Sequence, residues 1–226
     1  MRVTDTKPLS STAGYGEAAD TLVEQYESVS FADVHRDVLH LFPVRPSAIL
    51  DIGAGSGRDA AALARQGHMV VAAEPTAELR ALGQRIHGDR KFEWVDDSLP
   101  EMRMLRSRAQ RFDLILLTAV WMHLDALQRA LAMKSITDML AREGRVVLSL
   151  RHGPVPAGRR MFDVSVRETV DLARGHGLRV VHHSEREDPH ARHGVRWSYL
   201  GLQQETAADT PVQRGQRRSS RFHRSS

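Results

Sequence analysis

Apolar residues fall along this chain in short unbroken runs, spaced widely enough for a helix to fit between most of them. Ile49, Leu50 and Ile52 form the first run, residues 69–73 the second, and Phe92, Trp94 and Val95 a shorter third. Residues 112–117 and 144–150 repeat the pattern, residues 178–183 give a sixth, and residues 195–202 alternate as a seventh. Runs of this length and continuity mark strands buried on both faces. Between them, residues 59–65 are rich in alanine and leucine, strong helix formers. Residues 165–177 open on Ser165 with Glu168 three positions on, a capping-box pattern, and close on Gly175, His176 and Gly177, where glycine supplies a left-handed cap. Ahead of the first strand, Leu22, Val23, Tyr26, Val29, Val34, Val38 and Leu41 recur at roughly helical spacing. They predict two short amphipathic helices closed by Pro43 and Pro46. Strands alternating with helices predict one mostly parallel sheet with helices on both faces, and the last two strands an antiparallel hairpin at one sheet edge.

The ends of the first three strands carry the chemistry. In Asp51-Ile52-Gly53-Ala54-Gly55-Ser56-Gly57 an acid precedes glycines at alternate positions. A chain that reverses sharply and lies against a ligand needs glycine there, because a Cβ would stand in the way. The pattern places a small-molecule site at the carboxyl end of a strand and the start of a helix. A dinucleotide fingerprint spaces its glycines G-x-G-x-x-G; here the third comes one position early and Arg58 holds the matching place. The second strand ends in Glu74, where a carboxylate is suited to ribose hydroxyls because it accepts two hydrogen bonds in fixed geometry. The third ends in Asp96, Asp97, Ser98, Leu99 and Pro100.

This Asp-x-Gly-x-Gly-x-Gly run resembles motif I of the class I S-adenosylmethionine-dependent methyltransferases. The ordered set of strands and strand-end acids extends the resemblance over roughly residues 20–203. It implies a Rossmann-like α/β fold with seven strands, the terminal one antiparallel, and S-adenosyl-L-methionine as cofactor. The implied cofactor residues are Asp51, Gly53, Gly55, Arg58, Glu74 and Thr118, with Asp97 and Ser98 near the adenine amino group and Asp96 as second choice. In this family the N-terminal helices cover the cofactor. Tyr26 is read as core, while Tyr15, between two glycines, is a candidate to lie over the bound cofactor.

Composition narrows the picture. At 226 residues, with 41% hydrophobic and 27% charged, the chain suits a single globular domain and not a wholly disordered one. No apolar run approaches the ~20 residues of a membrane span, and Lys7 to Thr12 is too polar for a signal peptide. Zero cysteines exclude disulfides, thiolate metal sites and a cysteine nucleophile, and with it pyrimidine C5 methylation through an enzyme thiol. That composition is compatible with a reducing cytoplasm, the expected location. The pI of 9.9 raises a nucleic-acid reading, yet residues 204–226 hold five arginines against Glu205 and Asp209, or +3 of the formal +4. This stretch is expected to be a disordered basic tail, an RNA-binding arm being the other reading.

Ligands in open α/β sheets sit beyond the strands' carboxyl ends, so the acceptor site is expected in the segments after strands four and five. After strand four, Trp121 and His123 resemble the small-molecule form of motif IV, and the Asn/Asp-Pro-Pro-Tyr/Phe motif of exocyclic amino methylation is absent. Trp121 reads as a substrate platform or as packing, and His123 as a proton acceptor near neutrality or as structural. After strand five, Arg151 and His152 are read as functional. Arg159 and Arg160 stay open between function and pairing with Asp163 and Glu187, since arginine forks match carboxylate or phosphate. The histidines at 182, 183, 190 and 193 do not form a metal set, because adjacent strand residues point to opposite faces.

The expected organisation is a flexible segment at 1–16, a methyltransferase domain at 17–203 with cap helices at 17–42, and the tail at 204–226. The expected function is methyl transfer to a small, anionic acceptor. Catalytic roles fall to His123 and His152, and substrate contacts to Trp121, Arg151 and Arg159. An RNA or ribosome-associated methyltransferase and a non-catalytic cofactor-binding protein are the alternatives.

Overall fold

The computed structural model describes residues 12–205. Its strands are β1 (Ala48–Ile52), β2 (Met69–Ala73), β3 (Glu93–Val95), β4 (Phe112–Leu117), β5 (Leu140–His152), β6 (Leu178–Glu187) and β7 (Arg196–Gln204). They form one sheet in the order β3-β2-β1-β4-β5-β7-β6. The helices are α1 (Ala19–Glu27), α2 (Phe31–His35), α3 (Arg58–Arg65), α4 (Ala77–Ile86), α5 (Arg103–Ser107), α6 (Ala126–Met139) and α7 (Val166–Gly175), with 3-10 helices at Leu39–Leu41 and Trp121–His123. No helix among them is long and apolar enough to cross a membrane.

Strands β1 to β5 pair in parallel, and their aliphatic runs explain why: Leu114 to Leu117 are wholly buried, as strands covered on both faces must be. The connection reverses direction across the sheet at β1, which lies between β2 and β4. The carboxyl ends of β1 and β4 therefore open side by side, the place where doubly wound sheets bind ligands.

The predicted hairpin of β6 and β7 is present at one sheet edge, with the last strand on its inner side. β7 runs antiparallel between β5 and β6, and β6 is outermost. Burial explains the order. Trp197 to Leu202 are buried without a break, whereas β6 exposes Arg179, His183, Glu185 and Glu187 in the manner of an edge. β5 also begins earlier than its apolar run, at Leu140, directly after α6.

At the N-terminus, Ser30 caps α2 by accepting from the Asp33 amide at 3.1 Å, and α1 packs through Ala19 and Val23 on Leu79 of α4. Residues 12–16, assigned from sequence to the flexible segment, form turns here and bring Tyr15 against that cluster. Ser165 caps α7 as predicted, accepting from the Glu168 amide; the Glu168 carboxylate, however, turns to Arg129 of α6. Gln204, assigned to the tail, ends β7, and the Glu205 amide donates to the Gly177 carbonyl at 2.9 Å. Residues 1–11 and 206–226, with most of the expected flexible segment and tail, lie outside the described residues.

Leu200 sits wholly buried at the centre of β7. Leu200→Ala is expected to cost about 2–5 kcal/mol, the range for a buried leucine truncated in a packed core. Urea unfolding checks this: the midpoint should fall with the slope unchanged. A loss below about 1 kcal/mol would show β7 to be peripheral.

Candidate functional site

A cavity of about 470 Å³ opens beyond the carboxyl ends of β1 and β4. The glycine turn forms its floor. Gly53 has φ +67°, and a Cβ there would lie 2.6 Å from Cγ2 of Val120; Gly55 has φ +59°, with the Tyr26 ring 3.1 Å from a Cβ. Any side chain at either position is strained by its backbone and blocked by a neighbour.

The acids at the strand ends line this floor. Glu74 bridges two loops: its Oε2 accepts from the Gly55 amide at 2.9 Å and its Oε1 from the Thr76 amide at 2.8 Å. Burial raises its pKa, against the pull of those two amides. Each oxygen keeps a further lone pair for a ligand hydroxyl. Asp51 is 2% exposed and its Oδ2 has no partner. Burial, and then the charge of Asp59, hold its carboxyl well above the usual range. Asp59 shows the opposite behaviour. Burial works to raise its pKa, but the charges of His35 and Arg58 and their hydrogen bonds outweigh it and keep the carboxyl ionised. Its partners are His35 Nε2 at 2.8 Å, Arg58 Nε at 2.7 Å and the Thr118 hydroxyl at 3.2 Å. Asp97 lines the cavity with Ser98, and its carboxylate also accepts the amides of Ser98 and Leu105. Asp96 instead faces solvent and pairs with Arg80 at 2.8 Å.

The opposite wall is cationic and aromatic. His123 is buried, with Nδ1 2.8 Å from the Arg160 carbonyl and Nε2 2.9 Å from the Tyr15 hydroxyl. A carbonyl only accepts, so Nδ1 carries the proton, Nε2 offers its lone pair, and Tyr15 donates to it. Burial lowers the His123 pKa, the Arg160 carbonyl opposes this, and the nearby charges of Arg159 and Arg151 lower it further. The Arg159 guanidinium lies 3.9 Å from the Tyr15 ring centre. Arg151 is 8% exposed; among the described residues its guanidinium donates to the Gly153 carbonyl alone, at 3.4 Å, and its Nε has no partner.

The cavity thus gathers Asp51, Gly53, Gly55, Arg58, Glu74, Asp97, Ser98, Thr118, His123, Arg151 and Arg159 from the sequence expectations. Two expected residues are elsewhere. His152 follows Arg151 on β5 and so points to the other face of the sheet, where its Nε2 meets the Ser198 hydroxyl at 2.8 Å. Trp121 is wholly buried in the core, because the 3-10 helix turns its ring inward. Arg160 pairs with Asp125 at 2.9 Å, not with Asp163 or Glu187. Tyr26, read as core, lines the cavity.

The sequence reading missed the β6–β7 connection. Asp188 accepts from Arg192 Nε at 2.9 Å and Nη2 at 2.7 Å, and from Trp197 Nε1 at 2.8 Å; Arg192 and Trp197 both line the cavity. Acid and arginine four apart, ahead of a tryptophan, were the available signal. It carries weight only once β7 is known to lie beside β5.

A family model described as "Methyltransferase domain" matches residues 25–203. No curated protein matches the sequence. Solved structures do. A TehB-like SAM-dependent methyltransferase from Corynebacterium glutamicum is 20% identical, with a TM-score of 0.61, covering 84% of this chain and 99% of that one. The Burkholderia thailandensis 1,6-didemethyltoxoflavin-N1-methyltransferase, with 1,6-didemethyltoxoflavin and S-adenosylhomocysteine bound, is 22% identical, with a TM-score of 0.57 and coverage of 91% and 99%. Magnesium protoporphyrin IX methyltransferase from Synechocystis, with SAM bound, is 13% identical, with a TM-score of 0.58 and coverage of 85% and 80%. At these identities the likeness speaks to the fold.

The Tyr15–His123 geometry makes a direct prediction. Tyr15→Phe removes a donor to the neutral ring and admits water, so the lowered His123 pKa should move up toward the ordinary value of about 6.5. An NMR titration of the ring protons checks it. A pKa that stays put or falls would show that the hydroxyl does not stabilise the neutral imidazole.

Proposed function

From the premise that this chain belongs to the methyltransferase-domain family, we propose that it carries the methyl group of S-adenosyl-L-methionine to a small anionic acceptor held beside His123. The observation that carries the reading is the division of the cavity into an acidic floor and a cationic wall around a neutral imidazole. The floor fits the cofactor on three grounds: a glycine cradle that a Cβ would fill, an unpartnered buried oxygen on Asp51, and the spare lone pairs of Glu74. Glu74 would hold the ribose hydroxyls, Asp51 and the turn at Gly53 and Gly55 the methionine end, and Asp97 and Ser98 the adenine. Arg58 and Thr118 steady the turn through Asp59.

The bound cofactor supplies an already activated sulfonium methyl, which leaves the protein alignment, desolvation and proton removal. Arg151 and Arg159 orient the acceptor. His123 Nε2 takes a proton from it, the Tyr15 hydroxyl holding that lone pair until an acceptor arrives. The Burkholderia relative, whose structure holds a small heterocycle, supports a small acceptor. A chain without cysteine is compatible with a reducing, cytoplasmic setting.

Calorimetry should show S-adenosylhomocysteine binding, with NAD failing to bind. Glu74→Gln should weaken binding by about 1.5–3 kcal/mol, the range for hydrogen bonds to a charged group. Only the ionised carboxylate accepts from both ribose hydroxyls. Because burial raises the Glu74 pKa, wild-type affinity should start to fall at a higher pH than an ordinary glutamate would give, and lower pH should weaken it further. An identical pH slope in Glu74→Gln would assign the titration to another group.

The RNA reading rests on the arginine-rich tail. Removing residues 206–226 should leave cofactor affinity and small-acceptor turnover unchanged, and lost turnover would favour that reading instead.

A further inference from the structure

We propose that the acceptor end of the cavity is built for a doubly charged head group of the phosphate-monoester kind, gripped between Arg151 and Arg159. The proposal rests on the methyl-transfer reading for why an anion sits there, and on a charge inventory for which anion it is.

Four of the six arginines around the site are already engaged. Arg58 is paired with Asp59 at 2.7 Å and Arg160 with Asp125 at 2.9 Å. Arg186 donates to the carbonyls of Asp33 and Val34 and to the Tyr199 hydroxyl, with Asp37 at 3.7 Å. Arg192 is neutralised by Asp188, whose oxygens are fully taken up by Arg192 and Trp197. Arg151 and Arg159 remain. Neither has a carboxylate within ion-pair distance among the described residues; their contacts are the Gly153 carbonyl for one, and the Tyr15 ring and Ala13 carbonyl for the other.

A buried guanidinium without a partner is costly unless an anion completes it. Arg151 meets that description: it lines the cavity, is more than nine-tenths buried, and has an Nε bonded to nothing. Both guanidinium-bearing residues line the same cavity with Tyr15 and His123, and that of Arg159 lies 3.9 Å from the Tyr15 ring centre. A monoanion would leave one positive charge over. A dianion cancels both, and a phosphoryl group offers enough oxygens to meet two guanidinium forks at once. Docking also offsets the two charges that add to burial in lowering the His123 pKa, so the imidazole gains basicity when an acceptor is present to give up a proton.

The test uses the full chain saturated with S-adenosylhomocysteine, so that the cofactor's own carboxylate is already in place. Inorganic phosphate, succinate, acetate and methyl sulfate are titrated at constant ionic strength, with His123 ring signals and thermal shift as readouts. Phosphate should bind at least about tenfold more tightly than either monoanion, the minimum expected for one further charge-assisted hydrogen-bond pair, and should raise the His123 pKa. Arg151→Gln and Arg159→Gln should each abolish that preference, while Arg167→Gln, exposed on α7, should leave it intact. Equal binding of monoanions and phosphate, or phosphate binding that survives both replacements, would overturn the proposal. Succinate outcompeting phosphate would overturn the phosphoryl assignment in favour of a dicarboxylate. Competition between phosphate and S-adenosylhomocysteine would assign the arginines to the cofactor and overturn it too. A protein that binds no S-adenosylhomocysteine would sink the methyl-transfer reading separately, and the same titrations on that protein would still report the anion preference.

Discussion

The Glu74 carboxylate ties together two loops that the sheet places side by side. One oxygen accepts the amide of the first glycine turn and the other the amide that leads into α4. A parallel sheet ends its strands in adjacent loops with unpaired amides, and a buried acid is the group that can satisfy two of them at once. The cavity floor depends on that bridge. It fixes the height of the Gly55 backbone, which sets the space left below Tyr26, and it keeps a charged acceptor facing the ligand. The same burial that makes the bridge strong also makes Glu74 harder to ionise, so stability of the floor and readiness to bind are coupled through one group.

Charge is distributed across the cavity with little waste. Asp51 and Asp59 lie close enough to repel, and the network resolves the conflict by giving His35, Arg58 and Thr118 to Asp59 and leaving Asp51 short of partners. On the other side, Asp188 plays the corresponding part for Arg192. Among the charged side chains that line the cavity, Asp51 on the floor and Arg151 and Arg186 on the wall each keep a buried atom without a partner. A folded chain tolerates such residues when a bound partner removes the cost.

The sheet and the acidic floor of the cavity were legible in the sequence because both are local. An aliphatic run followed by an acid or a glycine specifies a buried strand and the loop after it, and β1, β2 and β4 lie where those runs fall. The cationic wall of the cavity depends on contacts between distant segments. Tyr15 and His123 meet across 108 residues, and nothing in the periodicity of either segment announces the other. The β6–β7 loop enters the site only because β7 inserts beside β5. His152 was a different kind of miss. The parity of strand side chains, which separates His182 from His183 as metal ligands, separates Arg151 from His152 in the same way, and only one of that pair can face the cavity.

The position of β7 also sets an order of assembly. Among the described residues, β6 pairs in the sheet with β7 alone, and β7 joins it to the other strands. During synthesis from the N-terminus, β1 to β5 can pair as they appear, and the glycine turn with its acids is complete once they do. β6 must wait, unpaired, until residues 196–204 have emerged and turned back between it and β5. Arg192 and Trp197 are therefore among the last of the cavity's lining to be put in place, over strand ends that have already come together.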